Sequence, residues 1–171
     1  GDLEFYRQRN PLVEQYARFR AAGARHGRNW RAWPSRLPGD LDPAEVRLHV
    51  TGQWLMQRQL ARLQRKVAAR GQLLALDLPL GCHPDGFDVW AEGDLFVDGV
   101  SVGAPPDSFF TRGQDWGFPP LHPERSRQQG HRYVQECIRH HVRHAGLMRL
   151  DHILGLQRLY WVHRGEDAAH G

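Results

Sequence analysis

The sequence predicts an α/β fold in which a mainly helical region precedes a parallel βαβ unit. Two observations indicate this fold. Apolar residues recur at helical spacing through residues 1–71, and two short apolar runs, LLALDLPL and LMRLD, flank a further helical stretch. A strand, helix and strand joined in this way form a right-handed crossover with parallel strands. We therefore divide the chain into a helical region at residues 1–71 and an α/β region at residues 72–171.

Proline, glycine and a capping aspartate mark the helices of the first region. The first helix begins at Pro11, and Gly23 is placed to end it. Residues 27–39 contain two tryptophans and two prolines without a period, which predicts an irregular connection held by its aromatic rings. Asp42 then caps a second helix, whose apolar faces continue as far as Gly71.

The α/β region begins with a short apolar run at residues 73–80, bounded by glycines, which is typical of a strand buried on both faces. Residues 81–120 are rich in Gly, Pro and Asp and predict a long functional loop. Residues 123–145 predict a helix, and residues 147–151 a second strand. We expect the two strands to be adjacent and parallel, with the helix packed across one face.

Composition excludes several classes of protein. Lys and Arg number 23 against 19 Asp and Glu, and 40% of residues are hydrophobic, which excludes wholesale disorder. No apolar run approaches the roughly 18 residues of a membrane-spanning helix, and the N-terminus lacks the apolar region of a signal peptide. Cys82 and Cys137 are far apart and form no CxxC pair, so we expect neither a disulfide framework nor a thiolate zinc site, and a reducing cytoplasm.

Two patterns of charged and imidazole side chains leave other functions open. Arg58, Arg62 and Arg65 line one side of a predicted helix, so a nucleic-acid-binding or other non-enzymatic interaction module is an alternative to an enzyme. His140 and His144 are four residues apart on a predicted helix, a spacing that can bind a divalent metal. No carboxylate or cysteine completes a ligand set, which favours a solvated helix face.

Carboxylates follow both predicted strands. Because the carboxyl ends of parallel strands meet at one rim, Asp85, after the first strand, and Asp151, at the end of the second, are expected to share it. Arg149 lies two residues before Asp151 and points to the same side of the strand. Its guanidinium would keep the carboxylate ionised and oriented, as the nucleophile of a retaining glycosidase requires. An ordinary strand-end ion pair is the alternative interpretation.

The segment GAPPDSFFTRGQDWGFPP concentrates aromatic rings beside amide and carboxylate groups. Flat rings stack on the apolar faces of sugar rings, while amides and carboxylates bind hydroxyl groups, so this composition suits a carbohydrate. The alternative is an Ω-loop packed by its own aromatic rings. The side chains concerned are Phe109, Phe110, Trp116 and Phe118, with Asp107, Gln114 and Asp115.

Three blocks of the sequence together resemble one family. LDLPLGCHPDGFDVW, GAPPDSFFTRGQDWGFPPLHPE and LMRLDHILGLQRLYWV, in this order, are similar to the blocks of the amylomaltase, or 4-alpha-glucanotransferase, family. The resemblance implies part of a (β/α)8 TIM barrel with a mainly helical insertion region before it. It also implies a cytoplasmic enzyme that acts on maltodextrins without a cofactor. Its partners are then α-1,4-glucans, with neither nucleic acid nor membrane.

The resemblance also implies roles for individual residues. Asp151 falls on the nucleophile of the family, Arg149 on its hydrogen-bonding partner, and no residue on a metal ligand. The aromatic segment falls on the loop that arches over the glucan groove. The positions implied to bind substrate are Asp85, His152, Phe109, Gln114 and Trp116.

The length of the chain sets an expectation about activity. Members of the family run to several hundred residues and draw their general acid from later barrel strands. After Asp151 the chain has only two carboxylate side chains, Glu166 and Asp167, and neither lies in a block that resembles the acid of the family. We therefore expect the chain to carry the nucleophile without the general acid, and to be inactive alone.

Overall fold

The computed structural model describes all 171 residues, which form two compact units, Gly1–Leu73 and Leu74–Gly171. The first unit is helical, and the second holds two small sheets. The helices are α1 (Asp2–Arg9), α2 (Pro11–His26), α3 (Pro43–Ala68), α4 (Phe87–Glu92), α5 (Pro123–Gln128) and α6 (Arg132–Val142). The strands are β1 (Ala75–Leu78), β2 (Val100–Ala104), β3 (Gln114–Asp115), β4 (Leu147–Leu150) and β5 (Tyr160–His163).

In the helical unit, α2 packs against α3. Val13 and Ala17 of α2 and Val50 of α3 are buried together, because apolar residues one turn apart face the same neighbour. The sequence did not predict α1, which buries no residue and has no apolar stripe to reveal it.

The predicted end of the first helix at Gly23 is wrong. Helix α2 continues to His26, and Gly27 ends it with a φ of 90°, a conformation that a glycine adopts readily. Gly23 instead lies inside the helix, where an added Cβ would lie 3.8 Å from the Trp33 ring. The indole N–H of Trp33 donates to the Gly27 carbonyl oxygen over 2.7 Å, and its ring packs against Phe19 with centroids 5.3 Å apart. The connection is therefore held by an aromatic ring, as predicted.

The first sheet confirms the predicted parallel pairing. Strands β1 and β4 run parallel, with Ala75 opposite Leu147 and Leu78 opposite Leu150, and α6 packs against both. The burial on both faces predicted for the first strand is wrong, however, since alternate residues of β1 are exposed, as are 69% of Leu73 before it and 46% of Leu80 after it. A sheet of two strands with one helix packed against it has too few neighbours to cover both faces.

The prediction of one long loop at residues 81–120 is also wrong, because this segment contains α4, β2 and β3. Strand β2 is the centre of an antiparallel sheet in the order β3-β2-β5. Val102 of β2 and Val162 of β5 are fully buried and form the interior of this sheet. This sheet could not be predicted from the sequence pattern, because its strands are short and because β2 and β5 are far apart along the chain.

The helix predicted at residues 123–145 is two helices. Helix α5 ends at Gln128, and both Gly130 and His131 adopt positive φ, at 59° and 57°. The N–H of His131 donates to the Ser126 carbonyl oxygen over 2.7 Å, which closes the turn. Helix α6 then starts in a new direction, because consecutive left-handed residues cannot continue a right-handed helix.

The N-terminus of α3 is capped as predicted, which gives a testable stability effect. Oδ1 of Asp42 accepts the N–H of Ala44 over 2.8 Å. We expect Asp42→Ala to lower the free energy of unfolding by about 1 kcal/mol, because a helix N–H loses its acceptor. Urea unfolding followed by far-ultraviolet circular dichroism measures this change. Asp42→Asn keeps an acceptor and should cost much less, and equal effects of the two variants would contradict the role of the cap.

Candidate active site

The predicted ion pair at the end of β4 is present. Nη2 of Arg149 lies 3.1 Å from Oδ1 of Asp151, and the backbone N–H of His152 donates to the same carboxylate oxygen over 3.0 Å. Both side chains of the pair are more than half exposed. An exposed pair of this kind contributes at most about 1 kcal/mol to stability. Its main effect is to orient a carboxylate that is open to solvent.

Asp77 is part of this cluster, and sequence reasoning missed it. Nη1 of Arg149 donates to Oδ2 of Asp77 over 3.2 Å. The guanidinium therefore spans two carboxylates, Asp77 on β1 and Asp151 after β4. The strand register could have revealed Asp77. When the two apolar runs pair in parallel, Asp77 lies directly opposite Arg149.

Asp85 lies in the segment that connects β1 to α4. Its backbone N–H donates to Nδ1 of His83 over 3.0 Å, and the N–H of Gly86 donates to the His83 carbonyl oxygen over 2.8 Å. These bonds form a tight turn in which a Cβ at Gly86 would lie 2.9 Å from that oxygen. Because β1 and β4 are parallel, the segments carrying Asp85 and Asp151 leave the same end of the sheet.

The antiparallel sheet brings the aromatic segment to the nucleophile candidate. The Trp116 ring meets the His152 ring edge to face, with centroids 5.0 Å apart. The indole N–H of Trp116 donates to Oε1 of Gln114 over 3.2 Å, and its backbone N–H donates to the Val102 carbonyl oxygen over 2.9 Å. Gln114, Trp116 and His152 therefore form one contiguous group next to Asp151.

Phe109 is placed differently from the other predicted site residues. Its side chain is 89% exposed, and Phe110 beside it is 52% exposed. Oδ1 of Asp107 accepts the N–H groups of both residues, over 2.8 and 2.6 Å, which fixes the backbone of the turn while leaving both rings outside. An Ω-loop packed by its own aromatic rings would bury them, so that interpretation does not describe Phe109 or Phe110.

Two alternative interpretations of the sequence, a metal site at the paired histidines and a nucleic-acid-binding helix face, gain no support from the structure. The His140 and His144 rings lie 6.1 Å apart, and the chain has no group of three or more His, Cys, Asp or Glu side chains arranged to hold a metal ion. Arg58 stacks on Trp54 at 4.7 Å and lies 3.7 Å from Asp2, so its charge is already partnered.

None of the helices combines the length and the apolar character needed to cross a membrane.

Asp167, one of the two carboxylates after Asp151, is engaged elsewhere. It pairs with the Arg112 guanidinium and accepts the N–H of Ala169 over 3.1 Å. The hydrogen bond from Arg112 and that from Ala169 hold the pKa of Asp167 below its usual range. Its carboxylate is therefore ionised at neutral pH, the wrong protonation state for a general acid.

The contact between Trp116 and His152 is directly testable. We expect Trp116→Leu to shift the imidazole proton resonances of His152, because the neighbouring indole ring current is removed. Two-dimensional NMR of the chain measures the shift. Trp54→Leu, in the helical unit, should leave the His152 resonances in place. Unchanged resonances in the Trp116 variant would show that the two rings are apart in solution.

Comparisons with known proteins identify a family for the whole chain. The family model described as 4-alpha-glucanotransferase matches residues 3–171. The 4-alpha-glucanotransferase of Mycobacterium tuberculosis is 36% identical over 171 aligned residues, which cover 93% of this chain and 24% of that protein. The 4-alpha-glucanotransferase of Aquifex aeolicus is 28% identical, with 97% of this chain and 38% of that protein covered. The chain thus spans about a quarter of the length of the mycobacterial relative.

Solved structures agree with the sequence comparisons. Amylomaltase from Corynebacterium glutamicum matches with a TM-score of 0.80 at 29% identity, covering 98% of this chain and 24% of that chain. Amylomaltase from Streptococcus agalactiae, solved in complex with acarbose, shares the fold with a TM-score of 0.89 at 20% identity, covering 98% of this chain and 38% of that chain. Because the family model matches nearly every residue, the chain belongs to the 4-alpha-glucanotransferase family.

Proposed function

We propose that this chain supplies the nucleophile-bearing part of a 4-alpha-glucanotransferase, which transfers α-1,4-glucan segments between maltodextrins. The observation that carries the proposal is the Arg149 guanidinium, which lies between Asp77 and Asp151 at the carboxyl end of two parallel strands. Family membership supplies the reaction class. On this proposal the parallel strands are two of the eight strands of a TIM barrel, and the enzyme works in the cytoplasm.

In the proposed reaction, Asp151 is the nucleophile of a retaining mechanism. Its carboxylate attacks the anomeric carbon of an α-1,4-linked glucosyl unit, and the bond to the leaving oxygen breaks as an acid outside this chain protonates that oxygen. A covalent glycosyl-enzyme results. The 4-hydroxyl of an acceptor sugar then gives its proton to the conjugate base of that outside acid, attacks the same carbon and displaces Asp151, which restores the α-linkage and regenerates the acid. The chemistry uses side chains alone and needs no cofactor.

Arg149 and Asp77 have separate roles in this proposal. Arg149 contacts the Asp151 carboxylate through one nitrogen, which orients the carboxylate and fixes the direction of its other oxygen. Asp77 holds the second arm of the same guanidinium from the neighbouring strand. A guanidinium that bonds carboxylates through both of its Nη atoms has little rotational freedom. The charged groups around the nucleophile therefore reorganise less when it attacks.

The aromatic segment would bind the sugar. Phe109 is exposed and Trp116 contacts His152 beside the proposed nucleophile, which supports a role for both rings in stacking on glucosyl faces. Gln114 and Asp85 would bind sugar hydroxyls. Transfer exceeds hydrolysis when an acceptor sugar is held in place and water is excluded, and stacked rings serve both purposes.

The first test replaces the nucleophile in an enzyme of full family length that contains this chain. We expect Asp151→Asn to reduce disproportionation of maltotriose by roughly 10⁴-fold or more, since the amide cannot form the glycosyl ester. Chromatography of glucose and longer products measures the rate. Asp94→Asn is the control, because Asp94 is 95% exposed and pairs with Arg125 away from β4. Equal activity of the Asp151 variant would refute its role as nucleophile.

A second test uses the chain alone. We expect no measurable disproportionation of maltotriose, because a positioned general acid typically contributes about 10²- to 10⁴-fold and Asp167 is held as a carboxylate. Incubation with maltotriose, followed by analysis for both glucose and maltopentaose, decides the matter. Formation of both products would mean that a carboxylate of this chain, or of a second copy, acts as the acid.

A further inference from the structure

One tyrosine hydroxyl joins three elements of the second unit. The Tyr133 hydroxyl, in the first turn of α6, lies 3.0 Å from Sγ of Cys82, in the segment after β1. It also donates to Oδ1 of Asp88, in the first turn of α4, over 3.0 Å. The residues come from distant parts of the sequence, and all three are partly buried. None of these three residues takes part in the proposed reaction.

The direction of the hydrogen bonds follows from the groups involved. The Tyr133 O–H donates its one proton to the Asp88 carboxylate, so the tyrosine oxygen accepts the S–H of Cys82. Burial raises the pKa of the Cys82 thiol to about 11 and raises that of Cys137, one turn along α6, in the same direction. Cys82 therefore keeps its proton at neutral pH and remains a donor.

The ring of Tyr133 is fixed as well as its hydroxyl. It meets Phe96 edge to face, with centroids 5.5 Å apart. Next to it, Nη2 of Arg132 lies 2.6 Å from Oε2 of Glu92 at the end of α4. The start of α6 is thus attached to both ends of α4. These contacts fix the position of the Tyr133 hydroxyl.

Cys82 and Asp88 lie three residues before and three residues after Asp85. Between them, the turn around Asp85 is closed by the hydrogen bonds to His83. Tyr133 holds both ends of this segment through a single oxygen atom. Fixing the two ends of a short segment restricts the positions that its middle residue samples.

We propose that Tyr133 is a positioning residue that holds residues 82–88 so that Asp85 is preorganised for substrate. The inference rests on the proposed function, which assigns Asp85 to sugar binding. Tyr133 touches no substrate and acts through the segment. Because Asp85 binds substrate and transition state alike, its displacement weakens binding more than it slows the chemical step.

The kinetic test is Tyr133→Phe in an enzyme of full family length that contains this chain. The variant keeps the ring against Phe96 and removes only the hydroxyl. We expect KM for maltotriose to rise about 3- to 10-fold with kcat nearly unchanged, the scale of one lost hydrogen bond. A purely structural role would lower the fraction of folded enzyme, which reduces kcat and leaves KM unaltered. That pattern would overturn the proposal.

A second readout needs no activity and uses the chain itself. Amide hydrogen exchange at Gly86 reports opening of the turn around Asp85, since this N–H donates to the His83 carbonyl oxygen. We expect Tyr133→Phe to accelerate this exchange about 3- to 10-fold. Tyr160→Phe is the matched control, because it removes a hydroxyl that bonds the Ala168 carbonyl oxygen instead. Unchanged exchange at Gly86 in the Tyr133 variant would overturn the proposal.

Variants of Cys82, the partner of the Tyr133 hydroxyl, test whether the hydrogen bond itself affects KM. Cys82→Ser keeps a donor for Tyr133 and should preserve KM, whereas Cys82→Ala should raise it in the same direction as Tyr133→Phe. Faster exchange without any change in KM would refute the positioning role. An unaltered enzyme without transferase activity would instead refute the proposed function, and the exchange measurement would still decide whether Tyr133 holds the segment.

Discussion

The parallel pairing of β1 with β4 is the constraint on which the candidate site depends. It places Asp77 opposite Arg149 and starts the segments that carry Asp85 and Asp151 from one end of the sheet. The pairing is weakly protected, because the strands are four residues long and much of their surface is exposed. Arg149 adds a contact across the two strands and a contact to Asp151. One side chain therefore both supports the pairing register and orients the Asp151 carboxylate.

The antiparallel sheet contributes rigidity from a different source. Val102 and Val162 are buried in its interior, and an added Cβ at Gly103 would collide with the Gln114 carbonyl oxygen, so β3 packs tightly on β2. Trp116 directly follows β3 and reaches His152. A packed apolar sheet therefore positions one side of the site, while ion pairs and hydrogen bonds position the other.

The sequence predicted what local chemistry determines. Asp42 caps α3 through its own side chain, and Arg149 and Asp151 share a side of the chain because residues two apart on a strand do so. It also predicted the pairing of β1 with β4, because two similar apolar runs flank a helix, but it missed the other long-range contacts. The partnership of β2 with β5, the bond from Arg149 to Asp77 and the bonds of Tyr133 join residues far apart along the chain, and no local spacing encodes them.

The energetics of these contacts explain why position matters more than stability at the site. The Arg149 pairs are exposed, and exposed ion pairs contribute at most about 1 kcal/mol, so they add little to the free energy of unfolding. A carboxylate nucleophile nevertheless has to face the anomeric carbon at the moment of reaction. Misplacement by about 1 Å can cost roughly 100-fold in rate. On the proposed function, an interaction that is nearly neutral for folding is thus large for catalysis, because orientation enters the reaction rate directly.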